Sequence, residues 1–599
     1  MKYIKLTKIY SLLLYMNDKY IIISILLIIT ISCIYMQTQN KTDNNVIIIG
    51  SGLAGLSAAI SILEKGGNVI LLEKQENLGG NSSKASSGIN GVYTTQQKKH
   101  QILDSTDFFF KDTMKSTSYN KEPYTTLVNQ LVNHSNSAIE WLQERNINLN
   151  NVAILGGHTN ARTHRPDSNV LVGIEIISKL IQYLERFPNQ LEIYKNTTVI
   201  KIIKAGNKVV GVECENTNKG RFNLSSQSII LATGGYANDH SKMSLLYKHR
   251  PDLKKLPTTN SSATTGDGVK MGMLLGIKTR DLDQIQVHPT GFIDLKDKMN
   301  KTKTLCGEVM RGVGGILVNA SGERFCNELG TRQYVVDQMA NQNTDKFIIL
   351  LNQESANKVE SHLNHYISNN LFYKVQNINE LSKKIQIDVT KIKDTFTKYN
   401  KAVDEKKDTF GKKVFPTKFK DDILYYGYVT PVLHYCMGGL EINEKCEVLT
   451  DNGIISNLYA AGEVTSGIHG KNRLGGNSLL ECNVYGRIAG NEALKHININ
   501  YLYVFNTLIN LLSKIKLPNI SVGRKSITAD ELAKHNNEND AWMAIDDNVY
   551  NVTDYMNKHP GGKEAILRYA GKDATEAFYQ IHEKYMLEEL KIVGKFIKN

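Results

Sequence analysis

The 599-residue chain contains no CxxC pair. That absence excludes zinc ribbons, ferredoxin-type cluster sites and CxxCH haem attachment. Its seven cysteines, at positions 33, 214, 306, 326, 436, 446 and 482, are odd in number and scattered, which is no disulfide framework. One isolated pair stays open. The chain also lacks internal repeats, low-complexity tracts and more than one long apolar run. With 41% hydrophobic and 22% charged residues, wholesale disorder, collagen and a polytopic membrane protein are excluded. At roughly 100–200 residues per domain, the length predicts about three to five domains.

The net charge of +13 invites a nucleic-acid reading. Its distribution argues against one. From Lys525 onward there are 10 Lys+Arg and 13 Asp+Glu, so the tail is −3 and the rest is +16. A basic body with an acidic tail unit points away from a nucleic-acid partner.

The one apolar run is Tyr20 to Met36, behind a basic leader (1–19) with Lys2, Lys5, Lys8 and Lys19. It has no amphipathic face, which disfavours a buried soluble helix. It reads as a signal-anchor helix or a cleaved secretory or organellar leader. As an anchor, the positive-inside rule keeps the lysine-rich end cytosolic. The expected location is a membrane of the endoplasmic reticulum or mitochondrion.

The first folded unit opens at Val46. VIIIG reads as a buried parallel strand, SGLAGLSAAISILEKG as a helix and NVILLEK as a second buried strand. Strand-like and helical stretches alternate to about Tyr236. Residues 283–435 change character, with more Asn, Lys and helical segments. LYAAGEV is another buried strand, followed by a helix to about His496. Residues 497–523 read as a linker, and 524–599 as a compact terminal unit.

Gly50-Ser51-Gly52-Leu53-Ala54-Gly55 lies between strand and helix, and Glu73 ends the next strand. Gly50 permits the tight turn, Gly52 lets backbone approach a pyrophosphate, and Gly55 lets helix and strand pack closely. The helix N-terminus stabilises phosphate charge, and Glu73 accepts from a ribose hydroxyl. Asn81 and Ser82, then Ser87 and Gly88, follow at once, and Ala232 opens a third small-residue turn. Repeated backbone passes over one bulky cofactor favour FAD over NAD.

GSGLAGLSAAI, LGGNSSKASSGIN, LATGGY, TTGDGV, HPTGF, RGVGGILVN, GTRQ, HYCMGG and AAGEVTSGIHGKNRLGGNSL occur in this order across residues 46–496. In these motifs the chain resembles the soluble fumarate reductase and flavocytochrome c family. The resemblance implies an α/β Rossmann-like FAD-binding domain (46–282 and 436–496) interrupted by an α+β capping domain (283–435). It adds Ala54, Asp267, Glu463 and Leu479 to the cofactor positions. It implies that His288, Glu308, His434, Arg473 and Gly476 bind a dicarboxylate such as fumarate or succinate. It implies hydride transfer from flavin N5, protonation by Arg332, and resupply of that proton through Glu308 and Arg311. From the residues alone, Arg332 reads as a carboxylate clamp, because free guanidinium is a poor acid.

Two positions depart from the family pattern. Gly307 stands where relatives carry a hydroxyl residue, and Tyr435 where some carry a second histidine. No histidine occurs from Ser82 to Lys99, so the FAD is expected to be non-covalent.

Residues 527–597 contain AWMAIDDNVYNVTDYMNKHPGG and AGKDATEAFYQIH, which resemble cytochrome b5, a small α+β haem-binding domain. The resemblance implies His559 and His582 as axial ligands of haem b, a saturated iron suited to electron transfer. No NADH-binding domain of the cytochrome reductase kind is visible, so the donor is a partner reductase, an NADH-linked system or reduced flavin. Two other readings stay open. One is a flavin oxidoreductase acting on another substrate, such as urocanate, an acrylate or an amino acid. The other is a catalytically inactive, membrane-tethered haem electron carrier.

Overall fold

The computed structural model describes residues 45–168, 170–514 and 525–598. The apolar run at 20–36 lies outside them. Among the described residues no helix is long and apolar enough to cross a membrane.

Strand Asn45–Ile49 is buried along its whole length, as its β-branched NVIII composition requires. It pairs in parallel with Asn68–Leu72 on one side and Ser228–Leu231 on the other. Leu191–Tyr194 and Gly453–Ala460 extend this parallel core outward. An antiparallel ribbon, Thr197–Ala205 with Lys208–Asn216 and Gly220–Ser225, completes a nine-stranded sheet. Helix Leu53–Leu63 crosses from the first strand to the second and buries every residue.

A second sheet of five strands spans residues 285–436. Its strand Phe347–Asn352 shows why it needs two covers. Phe347, Ile349 and Leu351 enter one apolar cluster, while Ile348 and Leu350 enter another. Helix Glu360–Ser368 contributes Leu363 and Tyr366 to the first cluster, and helix Val389–Glu405 contributes Ile392 and Phe396 to the second. At the margin of this layer, Glu328 is fully buried between Arg324 and Lys412.

Chain contacts divide the molecule into two compact units, the larger ending at Phe505 and the smaller beginning at Asn506. Helix Asn477–Lys514 runs past the expected end near His496 and takes up much of the expected linker. Its continuation has a physical reason: from Ile497 to Lys514 there is neither glycine nor proline to stop it.

The smaller unit is a five-stranded sheet in the order Ser526–Thr528, Lys591–Ile597, Asn548–Asn551, Asp540–Ile545 and Asn536–Asn537. Short helices Lys563–Leu567 and Thr575–Tyr579 complete its apolar core with Ile566 and Phe578.

Six cysteines (Cys214, Cys306, Cys326, Cys436, Cys446 and Cys482) are buried and unpaired. The isolated pair left open by the sequence does not occur among the described residues.

Candidate functional site

A cavity of about 510 Å³ opens where strands Asn45–Ile49, Asn68–Leu72 and Ser228–Leu231 end. Ligands of open parallel sheets collect at this carboxyl edge. Gly50, Gly52, Ala54, Glu73, Asn81 and Ser82 line it, as do Ser87, Gly88, Ala232, Asp267, Glu463 and Leu479.

The three fingerprint glycines separate by role. Gly50 has φ +103°, and a Cβ there would lie 2.3 Å from the Ala232 carbonyl oxygen. Gly55 does not line the cavity; its Cβ would lie 1.9 Å from the Gly50 carbonyl oxygen, so it serves helix–strand packing. At Gly52 a Cβ would meet only Ser82 Oγ, at 3.6 Å, which leaves the helix N-terminus open towards the cavity. This cradle fits a dinucleotide.

The acid that ends the second strand is already engaged. Glu73 Oε2 accepts from the Ser51 N–H at 3.1 Å and the Ser51 hydroxyl at 2.6 Å. A carboxylate has about four acceptor positions, so further capacity remains for a ribose. Asp267 binds Lys74 at 2.7 Å, and the Asn81 amide donates to Asn260 Oδ1 at 2.6 Å. Burial pushes the Glu463 carboxyl up to about 7, although the Cys436 N–H donates to it at 2.8 Å.

The same cavity is lined by Arg332, His434, Arg473 and Gly476. His288 stands behind it, with its ring centroid 5.4 Å from that of His434. His288 Nδ1 accepts from the Thr290 N–H at 3.2 Å, so in the neutral ring the proton sits on Nε2. That Nε2 is buried without a partner. Burial, then Arg332, holds the ring far below the ordinary histidine range, so His288 is a neutral donor. His434 is neutral for the same causes, and its Nδ1 meets the Thr259 hydroxyl at 2.8 Å.

Arg332 begins helix Arg332–Ala340 and Glu308 begins helix Glu308–Gly312. Arg332 donates through Nε to Glu308 Oε2 at 3.0 Å and through Nη1 to Gln286 Oε1. Arg473 Nη2 donates to the same Gln286 oxygen at 3.2 Å, while its Nε is buried and unpartnered. Desolvation, then Arg332, lowers the Arg473 guanidinium to about 10. Burial raises the Glu308 carboxyl, but Arg332 and then Arg311 lower it by more, so it is an anion at neutral pH. Arg311 shares the Glu308 helix as its i,i+3 spacing predicts. Its hydrogen bond goes to the Glu328 carbonyl oxygen at 2.6 Å, and Nε and Nη2 are buried without partners.

Unpaired buried donors on His288, Arg473 and Arg311 are costly unless an anion meets them. The donor set therefore suits a small polyanion such as a dicarboxylate.

Several functional residues escaped the sequence reading. Gln286 bridges the two cavity arginines, and its position two residues before His288 on strand Ile285–Phe292 was a signal for a shared face. Tyr435 packs under the Arg473 guanidinium at 4.4 Å and donates to Glu481 Oε2 at 2.6 Å. His469 meets the same oxygen at 2.7 Å. Ser51 and Thr259 had no signal of their own. At the other departure, the Gly307 N–H donates to the Tyr366 hydroxyl at 3.1 Å.

In the smaller unit, His559 follows the turn Met556–Lys558 and His582 follows helix Thr575–Tyr579. Their ring centroids lie 5.6 Å apart. A Cβ at Gly561 would lie 2.9 Å from His559 Cε1, so the HPGG turn leaves room for the imidazole. Two imidazoles facing each other across an apolar unit fit a haem iron held from both sides.

The FAD binding domain family matches residues 45–479. The cytochrome b5-like haem/steroid binding domain family matches residues 528–597. A fumarate reductase of Schizosaccharomyces pombe is 40% identical over 470 residues, covering 76% of this chain and 90% of the relative. Fumarate reductase 1 of Saccharomyces cerevisiae is 38% identical over 462 residues, covering 74% and 97%. The open conformation of a flavocytochrome c3 fumarate reductase aligns with TM-score 0.65 at 32% identity, over 77% of this chain and 80% of that one. The chain belongs to the FAD-binding flavoprotein family that contains these fumarate reductases, and it carries a cytochrome b5-like haem domain at its C-terminal end.

Proposed function

We propose that the chain is an FAD-dependent fumarate reductase with a b-type haem for electron transfer. One observation carries this reading: Arg332, His434 and Arg473 line the same cavity as the dinucleotide cradle. The parallel sheet is read as a Rossmann-like domain, and residues 283–435 as its capping insertion. When bound, reduced FAD supplies a hydride and the haem supplies single electrons.

The residues then divide the work. Arg473 and the neutral His434 hold one carboxylate, and the His288 Nε2–H meets the other. Arg332 faces the alkene and gives its proton to one carbon. Glu308 returns a proton to Arg332, with Arg311 holding positive potential behind it. An arginine acts as an acid only where its conjugate base is recharged at once, and the anionic Glu308 against it supplies that path. Gln286 keeps Arg332 and Arg473 at a fixed spacing through one shared oxygen.

No histidine in 82–99 supports non-covalent FAD. The apolar run at 20–36 supports a signal-anchor or leader, and so an endoplasmic reticulum or mitochondrial membrane. Electrons enter from a partner reductase, an NADH-linked system or reduced flavin.

The test is anaerobic reoxidation of the reduced protein by fumarate, with flavin and haem absorbance followed together. Rapid reoxidation of both supports the proposal. Reoxidation by urocanate or acrylate but not fumarate moves it to another unsaturated acid, and no reoxidation by any acid refutes catalysis.

A further inference from the structure

Arg332 places both Nε and Nη2 on Glu308 Oε2, at 3.0 and 2.9 Å. Among the described residues no donor reaches the other oxygen, Oε1. That oxygen faces Gly156. A Cβ at position 156 would lie 2.7 Å from it, and the next nearest atom, the Leu329 carbonyl oxygen, is 3.9 Å away. Gly156 is exposed, and the Glu308 side chain keeps 14% of its surface accessible. One glycine thus separates the carboxylate from solvent.

The loop that carries Gly156 is held in place. Arg162, fully buried, pairs with Asp104 at 2.9 Å and with Asp112 at 2.5 Å. The Thr159 N–H donates to Asp112 at 2.7 Å. His158 Nε2 donates to the Gly475 carbonyl oxygen at 3.0 Å. Arg311, by contrast, is 1% exposed and makes no hydrogen bond to Glu308 among the described residues.

We propose that Gly156 is the proton port of the active site: protons from solvent reach Glu308 at Oε1 past this residue rather than by way of Arg311. The inference rests on the fumarate reductase reading above. In each turnover Arg332 gives its proton to the substrate carbon and becomes a neutral guanidine. Its charge no longer opposes protonation of Glu308. A hydronium ion or buffer acid at the port protonates Oε1. Rotation of the carboxyl presents that O–H to Arg332, which takes the proton and regains its charge. One proton enters, one leaves in the product, and no electron moves in this path.

The test uses the full-length holoenzyme with Gly156→Ala, Gly156→Ser and, as a control on the exposed loop, Ile154→Ala. Gly156 has no positive φ, so alanine fits its backbone. Gly156→Ala is expected to lower kcat for fumarate about tenfold or more and to raise its solvent deuterium isotope effect, with FAD content and KM unchanged. Gly156→Ser brings the same Cβ with a hydroxyl that passes protons, and recovers part of kcat. Ile154→Ala keeps wild-type values. Wild-type kcat and isotope effect in Gly156→Ala overturn the port alone, as do equal losses in the alanine and serine variants. Absence of fumarate turnover in the wild type overturns the functional reading and the port with it.

Discussion

Arg332 and Glu308 meet through a single oxygen: two guanidinium nitrogens converge on Oε2 at 3.0 and 2.9 Å. A fork-to-fork pair would engage both carboxylate oxygens. Here one oxygen is left for another partner, and Nη1 is left for Gln286. The arginine is oriented by two residues while its charge is only partly shared. Replacing Arg332 with alanine is expected to reduce fumarate-driven flavin reoxidation by at least ~10²-fold with FAD still bound. Near-normal reoxidation in that variant ends the acid assignment.

Gln286 holds two cations with one amide oxygen. Gln286→Leu leaves Arg332 and Arg473 adjacent and unbridged in a buried site. A hydrogen bond to a charged group is worth about 1.5–3 kcal/mol, so kcat/KM for fumarate is expected to fall roughly 10–150-fold. Steady-state kinetics checks this. A loss confined to KM shows that Gln286 serves binding alone.

Legibility followed the range over which each feature is encoded. The glycine roles at 50, 52 and 55 were readable because the turn, the close approach and the helix packing all arise within six residues. The cavity residues were readable only where their own motifs marked them. Gln286, Thr259 and Tyr435 act through partners roughly 165–190 positions away, and spacing carries no record of such pairings. Glu73 was read correctly as the acid at the strand end, but its contact with Ser51 depends on the turn's exact path. The helix that ends at Lys514 escaped because its second half alternates Asn with Ile and Leu, a pattern without a clear apolar face.

The haem unit gives a spectroscopic prediction. His559→Ala is expected to remove the low-spin signature of a doubly ligated iron and leave the flavin spectrum intact, since the two sites lie in separate compact units. The absorbance and paramagnetic resonance spectra report it directly. An unaltered low-spin signal rules out axial ligation by His559.

Acid stability is set in part by buried neutral histidines. His164 is fully buried; its Nδ1 donates to the Arg162 carbonyl oxygen and its Nε2 accepts from Thr94 at 2.7 Å. Burial lowers it to about 4, against about 6.5 in the unfolded chain. Below pH 6.5 the unfolded state takes up a proton that the folded state refuses. The stability is therefore fully present above 6.5 and is lost as pH falls towards 4. For this one ring the loss is about 3 kcal/mol. Denaturant titrations from pH 7 to pH 4 measure the slope. His164→Gln is expected to flatten it, and an identical slope in the variant removes His164 as its source.

The six buried thiols bear on how such an enzyme survives its own chemistry. Burial raises Cys214 and Cys306 to about 12, so neither forms thiolate at physiological pH. Oxidants attack thiolate, and they attack it where they can reach it. A protein that stores reducing equivalents near air continually meets peroxide made at its own cofactors. Here the sulfur that would record such damage is withdrawn from solvent and kept in its unreactive form. Ageing of the enzyme under oxygen is therefore directed elsewhere, to exposed methionines such as Met243 and Met299, whose oxidation lies at the surface, away from the buried apolar core.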